Sequence, residues 1–208
     1  IKHELIETYI SEGPKMIDYL HENSQVKYRN LSHYPDYFPD NPGGKEGNRS
    51  MEPEPINGTI LGTDLGKLRE QHPQTAFTMG PINMNFTQVE GQLLLGALPG
   101  WKTLFAKLFT KYILDLPMRL KWGWKDRRLT RGNAGIARLV LSLRDRNVDI
   151  WTETSMTDLI DENGSVVGIK ASRNNSEINI KASKGVILAS GGFEKDQELR
   201  DKYLPQPS

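Results

Sequence analysis

Two glycines near the end of the sequence, Gly191 and Gly192, follow a continuous apolar run at positions 186–189. Such a run is typical of a strand buried on both faces of a parallel sheet. Ligands of open α/β sheets bind beyond the carboxyl ends of the strands, and glycine there lets a phosphate or a ribose approach the backbone closely. A tight turn that needs positive φ angles is the alternative. Glu194 and Asp196, at the start of a predicted helix, leave both interpretations open.

A second stretch with chemical potential is the segment 28–66, which contains Tyr34, Tyr37 and Phe38 among many prolines and glycines. Proline and glycine at this density exclude a long helix and a central strand. Long loops of this kind are either functional or disordered, and disordered segments are poor in aromatic residues. The sequence therefore predicts a functional loop here.

The composition is that of a polar globular chain, and it excludes several classes of function. The 208 residues have a net charge of +1, so nothing favours a nucleic-acid partner. The absence of cysteine excludes disulfides and thiolate metal sites and fits a cytoplasmic location. No metal site is expected, because His, Asp and Glu never converge at ligand spacing. No apolar run is long enough to span a bilayer, and the first residues do not form a secretory signal.

One local exception to the balanced charge is a basic cluster between positions 121 and 131 that is interleaved with tryptophans. Its members are Lys121, Lys125, Arg127, Arg128 and Arg131, with Trp122 and Trp124 between them. We interpret this cluster as a solvated loop with packed indoles.

Outside the segment 28–66, helical periodicity marks several stretches of the first two thirds of the chain. The helices predicted there are 3–12, 14–22, 87–98 and 101–116. The first two are separated at Gly13, because Pro14 is tolerated in the first turn of a helix and disfavoured in its interior. Pro117 is expected to end the last of them.

The final third predicts a helix, a short strand and an antiparallel meander. Asn133 is expected to cap the helix and Asn147 to end it. The apolar stripe of that helix is Ile136, Leu139, Val140 and Leu143.

Besides the run 186–189, four strands are expected after this helix. They are 148–151, 157–160, 166–171 and 177–182. The second and third flank Asn163-Gly164, and Asn-Gly is the strongest short signal for a hairpin. A further helix is predicted at 194–202, after the glycine turn.

Three segments, in the right order, resemble one large flavoprotein family. The segment GVILASGGFEKDQELRDKYLP resembles the second FAD-contacting segment of the family that includes fumarate reductases, succinate dehydrogenases and 3-ketosteroid dehydrogenases. The segments KDRRLTRGNAGIARLVLSLRDRNVDIWTETSMTDLIDENGSVVGI and HYPDYFPDNPGGKEGNRSMEPEPINGTILG resemble the steroid-dehydrogenase branch. The segment that begins HYPDYFPD is similar to the loop that lies near flavin and substrate in that branch. The resemblance covers residues 1–204.

The resemblance implies FAD as the cofactor. It assigns to cofactor binding Met156, Ala189, Ser190, Gly191, Gly192 and Phe193. The turn would touch the ribose and the pyrophosphate of FAD, and the backbone of Met156 would meet the adenine ring. A core methionine near a strand start is an equally open interpretation of Met156.

The same resemblance makes Tyr37 and Phe38 the candidate catalytic residues. In the Δ1-dehydrogenating steroid enzymes this loop reads Asp-Tyr-Tyr-Pro, and the second tyrosine assists proton abstraction. Here the second position is Phe38, which has no hydroxyl group and cannot transfer a proton. Either Tyr37 serves, or the activity is altered, or the substrate differs. Packing of both aromatic rings against the region of Trp122 and Trp124 is the structural alternative.

The expected fold class is α/β with mixed α+β character, namely a partial Rossmann-like FAD-binding domain with an antiparallel β-meander and a helical insertion. Residues 1–208 would form the central part of one such domain. Within it, 1–132 would be a helical, loop-rich insertion and 133–208 the helix, the meander and the FAD-contacting turn. Neither the G-x-G-x-x-G segment nor the substrate-binding cap of the family occurs in the sequence. We therefore expect FAD in the full-length parent and not in this chain alone, which would be inactive and could form a homodimer through exposed edges.

The expected function is that of a fragment of an FAD-dependent oxidoreductase that introduces a C=C bond next to a ketone, with a steroid ketone as the small-molecule substrate. A fumarate- or succinate-type flavoprotein is one alternative. It would need histidine and arginine clamps, and the four histidines are scattered. A non-enzymatic interaction module is the other alternative, and it would bind no flavin.

Overall fold

The computed structural model describes residues 2–71, 76–79, 82–123 and 125–205. The chain divides into two compact units, Ile1–Asp149 and Ile150–Ser208, which are described separately. Among the described residues, no helix combines the length and the apolar character needed to cross a bilayer.

The first unit contains five helices and six short strands within its described part. The helices are α1 (His3–Asn23), α2 (Gln88–Leu95), α3 (Trp101–Leu114), α4 (Leu116–Trp122) and α5 (Arg131–Arg144). The strands are β1 (Tyr28–Asn30), β2 (Met51–Pro53), β3 (Ile56–Asn57), β4 (Ala76–Met79), β5 (Ile82–Asn85) and β6 (Arg128–Leu129). A kinked 3₁₀ segment, Gly58–Lys67, lies between β3 and β4.

The first helix differs from the expectation, because α1 runs through Pro14 without a break. The prediction of two helices was wrong. Proline disfavours helical geometry at the preceding residue partly by a clash with its Cβ atom, and Gly13 has no Cβ atom. Pro117 was expected to end the helix 101–116. Helix α3 instead ends at Leu114, and Pro117 lies in the first turn of α4.

Among the described residues, two apolar clusters form the core of the first unit. One joins the 3₁₀ segment, β6 and α5 through Leu61, Leu65, Leu129, Ala134, Ala137 and Leu141. The other joins β5 and α3 through Met84, Leu108 and Tyr112. Phe77 packs edge-on against Phe105 beside this second cluster, with ring centroids 5.4 Å apart.

Helix α5 turns a different face to the core from the predicted one. Its buried residues are mostly small, Ala134, Gly135 and Ala137 among them, whereas Ile136 and Leu139 are 49% and 46% exposed. The helix begins at Arg131, so the prediction of Asn133 as the N-cap residue was also wrong. Small residues face the core because the 3₁₀ segment and Pro53 approach the helix closely: a Cβ atom on Gly135 would lie 3.2 Å from Cγ of Pro53.

The second unit is a three-stranded antiparallel sheet followed by a short helix. Its elements are β7 (Thr154–Glu162), β8 (Ser165–Arg173), β9 (Ser176–Lys181) and α6 (Gln197–Tyr203). Asn163 and Gly164 both have positive φ angles, as a two-residue type I′ turn requires, so the predicted hairpin is confirmed. Asn174 and Asn175 form the same kind of turn between β8 and β9.

Two predicted strands are absent from the described part of this unit and its boundary. Residues 148–151 have no strand partner, and neither does the apolar run 186–189. Ile187 is 93% exposed and Leu188 is 59% exposed, so the prediction of a strand buried on both faces was wrong for this chain. A central strand needs a neighbour on each side, and the sheet β7–β8–β9 does not extend to this segment.

Candidate functional site

The glycine turn lies between the unpaired segment and α6, and its backbone is open. Ser190, Gly191 and Gly192 are exposed. Gly191 has a φ of 86°, and no atom lies within 4 Å of the position that a Cβ atom would occupy. A positive φ angle favours glycine, because other L-residues are strained there. The turn interpretation and the ligand-approach interpretation are therefore compatible at Gly191.

Helix α6 holds this turn from its carboxyl side. Asp196 caps the helix by accepting a hydrogen bond from the N–H of Leu199 at 3.0 Å. The rings of Phe193 and Tyr203 lie 5.9 Å apart, and Arg200 donates to the carbonyl of Glu194 at 3.2 Å. These contacts fix the exit of the turn while its backbone stays accessible.

Met156 lies on β7 opposite Ala171, immediately before an irregularity in the strand register. Its side chain is 46% exposed, so it does not have the place of a core methionine. A register irregularity lets a strand redirect its backbone.

The loop 31–50, which bears the two candidate catalytic residues, is closed at its base and braced internally. Strands β1 and β2 pair in antiparallel register at the base. The carboxylate of Asp36 accepts hydrogen bonds from Nη1 of Arg49 and from the N–H of Lys45, both at 3.0 Å. Arg49 also donates to the carbonyl of Gly43 at 2.6 Å. These contacts brace the loop that carries Tyr37 and Phe38.

Tyr37 and Phe38 project from this loop into solvent. Tyr37 is 98% exposed and Phe38 is 72% exposed. Together with Tyr34, Arg49 and Gln92 they line a cleft of about 730 Å³. The charge of Arg49 is already paired with Asp36, so the cleft presents hydroxyl groups and aromatic surface. The proposed packing partner of these rings, the region of Trp122 and Trp124, lies outside the described side chains.

The basic cluster at 121–131 proved to be buried rather than solvated in its central part. Arg127 is only 5% exposed. Arg119, which precedes the basic cluster in the chain and was not predicted to belong to it, is 1% exposed, and its guanidinium carbon lies 3.5 Å from the ring centroid of Tyr112. Its counter-charge is Asp126, at 3.4 Å.

Asp126 organises the polar side of this buried cluster. Its carboxylate accepts backbone hydrogen bonds from Asn85 at 2.8 Å and from Arg128 at 3.0 Å. Burial raises the pKa of Asp126, although these hydrogen bonds and the charge of Arg119 act in the opposite direction. Asp115, Arg119 and Asp126 are not a distinctive sequence signal for this cluster, because 25% of the residues of the chain are charged.

The open turn at residues 189–193 meets the backbone requirement for a dinucleotide. Exposed N–H groups and a glycine with free space beside it allow a ribose or a phosphate group to come close. Ser190 adds a hydroxyl group that can donate or accept a hydrogen bond. The residues present therefore fit contact with the sugar-phosphate part of a flavin dinucleotide.

Comparison with known proteins identifies a family of flavin-binding proteins over nearly the whole chain. Residues 2–208 match the model of a protein family described as "FAD binding domain". The chain is 31% identical to 3-oxosteroid 1-dehydrogenase of Comamonas testosteroni over 96% of its length, and 32% identical to the enzyme of that name from Mycolicibacterium smegmatis over 98%. It spans 34% and 35% of those two proteins.

A solved structure shows the same likeness. The crystal structure of 3-ketosteroid delta1-dehydrogenase from Sterolibacterium denitrificans, in complex with 1,4-androstadiene-3,17-dione, superposes with a TM-score of 0.86 at 37% identity. The match covers 96% of this chain and 36% of the crystallised one.

Proposed function

Because this chain belongs to the family of FAD binding domains, we propose that the protein containing it is an FAD-dependent dehydrogenase that introduces a C=C bond next to the ketone of a 3-oxosteroid. The observation that supports this most is the TM-score of 0.86 with a 3-ketosteroid delta1-dehydrogenase over 96% of the chain. The chain spans about a third of its relatives, so the activity belongs to the whole protein and not to residues 1–208 alone.

FAD would supply the hydride acceptor of this reaction. The contribution of this chain is to hold the cofactor. In this proposal the N–H groups of the turn at Ser190, Gly191 and Gly192 bind its ribose and pyrophosphate, Ala189 and Phe193 flank them, and the backbone of Met156 meets the adenine ring. The exposed backbone and the positive φ of Gly191 support this assignment.

Replacing Gly191 tests the role of the turn. Gly191→Ala should weaken FAD binding to the whole protein about tenfold, because a Cβ atom costs roughly 1–2 kcal/mol at positive φ and displaces the turn. Fluorescence titration of the apoprotein with FAD measures the change. Gly164→Ala is a matched control, since Gly164 also has a positive φ angle and open space but lies in the β7–β8 hairpin. Equal FAD affinities in the two variants would contradict the assignment.

The catalytic assignment concerns the loop 31–50. A tyrosine there would act as a base in its deprotonated form, and its phenolate oxygen would take up the proton next to the ketone. Tyr37 supplies a hydroxyl group at the cleft and Phe38 does not. We propose that Tyr37 takes this role in a protein that acts on 3-oxosteroids.

Two substitutions separate the possibilities. If Tyr37 transfers the proton, Tyr37→Phe lowers kcat for dye-coupled dehydrogenation of a 3-oxosteroid by about 10²–10⁴-fold. Phe38→Tyr then changes it little. If proton transfer requires a tyrosine at position 38, Phe38→Tyr instead raises kcat and Tyr37→Phe has little effect on it. Both variants keep an aromatic ring, so packing is nearly constant.

The alternatives are distinguished with the purified whole protein. A yellow protein with a flavin absorption spectrum that reduces a dye with a 3-oxosteroid supports the proposal. Dye reduction with succinate, and not with the steroid, would favour the fumarate- or succinate-type flavoprotein. A protein that binds no FAD would favour an interaction module.

We also propose a homodimer of the isolated chain and a cytoplasmic location for the protein. Exposed apolar surface, such as Leu95 and Ile187, is consistent with a homodimer of the isolated chain, and light scattering at several concentrations tests it. A cytoplasmic location is supported by the absence of cysteine, and cell fractionation tests it.

A further inference from the structure

One side chain in the wall of the cleft of Tyr37 and Phe38 comes from outside the loop 31–50. Among the described residues that line this cleft, all belong to the loop except Gln92, which lies on α2. Gln92 is half-buried, and its side-chain amide forms no hydrogen bond within the part of the chain that the structure describes. The donor and acceptor groups of this amide are therefore available to a molecule in the cleft.

The described lining of the cleft presents no unpaired charge. Its two charged side chains, Asp36 and Arg49, pair with each other at 3.0 Å. Tyr34, Tyr37 and Phe38 contribute aromatic surface. Such a lining favours a ligand with an apolar body and neutral oxygens, because a few polar groups then fix its orientation on an apolar surface.

A buried carboxylate joins α2 to the base of the loop. The side chain of Glu52 on β2 is 6% exposed, and its Oε1 pairs with Arg29 on β1 at 2.5 Å. Its Oε2 accepts a hydrogen bond at 2.8 Å from the N–H of Gln88, the first residue of α2. Glu52 thus connects the helix that carries Gln92 with the two strands from which the loop 31–50 extends.

Further contacts fix the position of α2. In its capping box, Thr87 Oγ1 accepts a hydrogen bond from the N–H of Glu90 at 3.2 Å, and Glu90 accepts one from the N–H of Thr87 at 2.9 Å. Glu90 also pairs with Arg128 at 2.7 Å. A Cβ atom on Gly91 would lie 2.8 Å from the ring of Phe86, so the helix and this ring are in close contact. A side chain on a helix held in this way can position a ligand atom more precisely than a side chain on a loop.

We propose that Gln92 is a specificity-determining residue that donates a hydrogen bond to a second oxygen of a 3-oxosteroid, and that Glu52 is the positioning residue that holds Gln92 beside the loop. This inference rests on the function proposed above, in which Tyr37 acts next to the ketone that adjoins the new C=C bond. Gln92 belongs to a different element, so its partner is an oxygen elsewhere on the steroid, such as a 17-ketone. A neutral amide suits a ketone or a hydroxyl group there.

Two steroids that differ in the 17-oxygen test Gln92 in the whole protein. Dye-coupled kinetics with androst-4-ene-3,17-dione, and with androst-4-en-3-one, which lacks that oxygen, give the preference for the dione as a ratio of kcat/KM values. Gln92→Leu should lower this ratio about tenfold, chiefly by raising KM for the dione, because one hydrogen bond to the substrate is lost.

Gln88→Leu is the matched control for Gln92→Leu. Gln88 lies one turn earlier on α2, does not line the cleft, and donates to Glu52 through its backbone, which the substitution leaves in place. The ratio should therefore stay unchanged in Gln88→Leu. A ratio that Gln92→Leu leaves equal to that of the unmodified protein overturns the proposal.

A double-mutant cycle tests the role of Glu52. Glu52→Gln keeps only one acceptor oxygen for the donors of Arg29 and Gln88, and Glu52→Asp keeps the charge but shortens the side chain. Each should lower the ratio several-fold in the unmodified protein and leave it unchanged in the presence of Gln92→Leu, because Glu52 acts through Gln92. Thermal unfolding and the flavin spectrum show that a variant is folded and holds FAD. An equal effect of the Glu52 substitutions with and without Gln92→Leu contradicts the positioning role.

Turnover separates a failure of this inference from a failure of the proposed function. If the unmodified protein oxidises neither steroid, the proposed function is wrong and this inference with it. If it oxidises both steroids with a ratio that Gln92→Leu does not change, only the assignment of Gln92 is wrong.

Discussion

Single residues in the first unit show how burial changes the role of charge. Arg119 is almost completely buried, yet it stacks on Tyr112 and faces two carboxylates. Arginine suits such a place, because its guanidinium is planar and weakly hydrated compared with an ammonium group. The pair Arg119–Asp126 stabilises the fold chiefly because neither charge is left buried without a partner. Removing one of the two residues therefore measures the cost of an unpaired buried charge.

Asp126→Ala should lower the free energy of unfolding by about 3 kcal/mol, because it leaves a buried guanidinium with less counter-charge. It also removes the acceptor for the backbone N–H groups of Asn85 and Arg128. Urea denaturation measures the loss. Glu70→Ala is the control, since Glu70 lies 3.9 Å from Lys125 with a half-exposed side chain and should cost about 1 kcal/mol or less. Similar losses in both variants would contradict this account.

The pKa of Asp126 adds a dependence on pH. Burial raises it above the ordinary aspartate value, so at pH values between the ordinary and the raised pKa the native state holds a proton that the unfolded state has released. The contribution of Asp126 to stability is therefore complete below the ordinary pKa and falls as the pH rises through the window up to the raised value.

At the scale of elements, one ion-pair group joins the 3₁₀ segment to α5. Asp64 pairs with Lys67 at 2.8 Å and with Arg144 of α5. Hydrogen bonds to Lys67 and Arg144 lower the pKa of Asp64. Leu61 and Leu65 of the 3₁₀ segment also pack against α5 in the first apolar cluster. The ion pairs of Asp64 therefore supplement an interface that is already held by apolar contacts.

Asp64→Asn should remove a stabilisation that depends on pH. Since the folded pKa is lowered, the stabilisation is present above the ordinary aspartate pKa and is lost as the pH falls through the lowered value. We expect about 0.5 kcal/mol at most near neutral pH, because the group is partly exposed. Urea titrations of both proteins at decreasing pH should show the difference between them shrinking to zero. A constant difference would contradict the assignment.

At the scale of the whole molecule, large apolar side chains lie exposed on both units. Ile136 and Leu139 on α5 and Ile187 and Leu188 in the segment 186–189 are examples. Their patterns are those of buried surfaces. The chain spans about a third of its relatives, which is consistent with cover supplied by the rest of the protein.

Hydrogen exchange tests this view of the segment 186–189. Its amides should exchange rapidly in a protein limited to residues 1–208, because the segment has no strand partner among the described residues. In the whole protein they should be protected, if neighbouring strands cover them. The amides of β8, which is paired on both sides, are an internal reference for protection. Equal, rapid exchange of 186–189 in both proteins would contradict the expectation.

Local sequence patterns predicted the elements whose structure depends on residues close together in the chain. The hairpin at Asn163-Gly164 and the third strand of the meander followed from turn chemistry and alternation. The ends of α1 were approximately predicted, but its continuity through Gly13-Pro14 was not. Gly13 has no Cβ atom, so the clash of Pro14 with the residue before it is relieved.

The sequence by itself determined the flavoprotein resemblance, the antiparallel meander and the glycine turn with its positive φ angle at Gly191. Each of these depends on residues close together in the chain. Only the tertiary structure decided that α5 buries its small residues, that the loop 31–50 presents Tyr37 and Phe38 to solvent, and that Arg119 and Arg127 are buried. Burial is set by contacts between distant segments, and a single sequence does not reveal which surfaces those contacts cover.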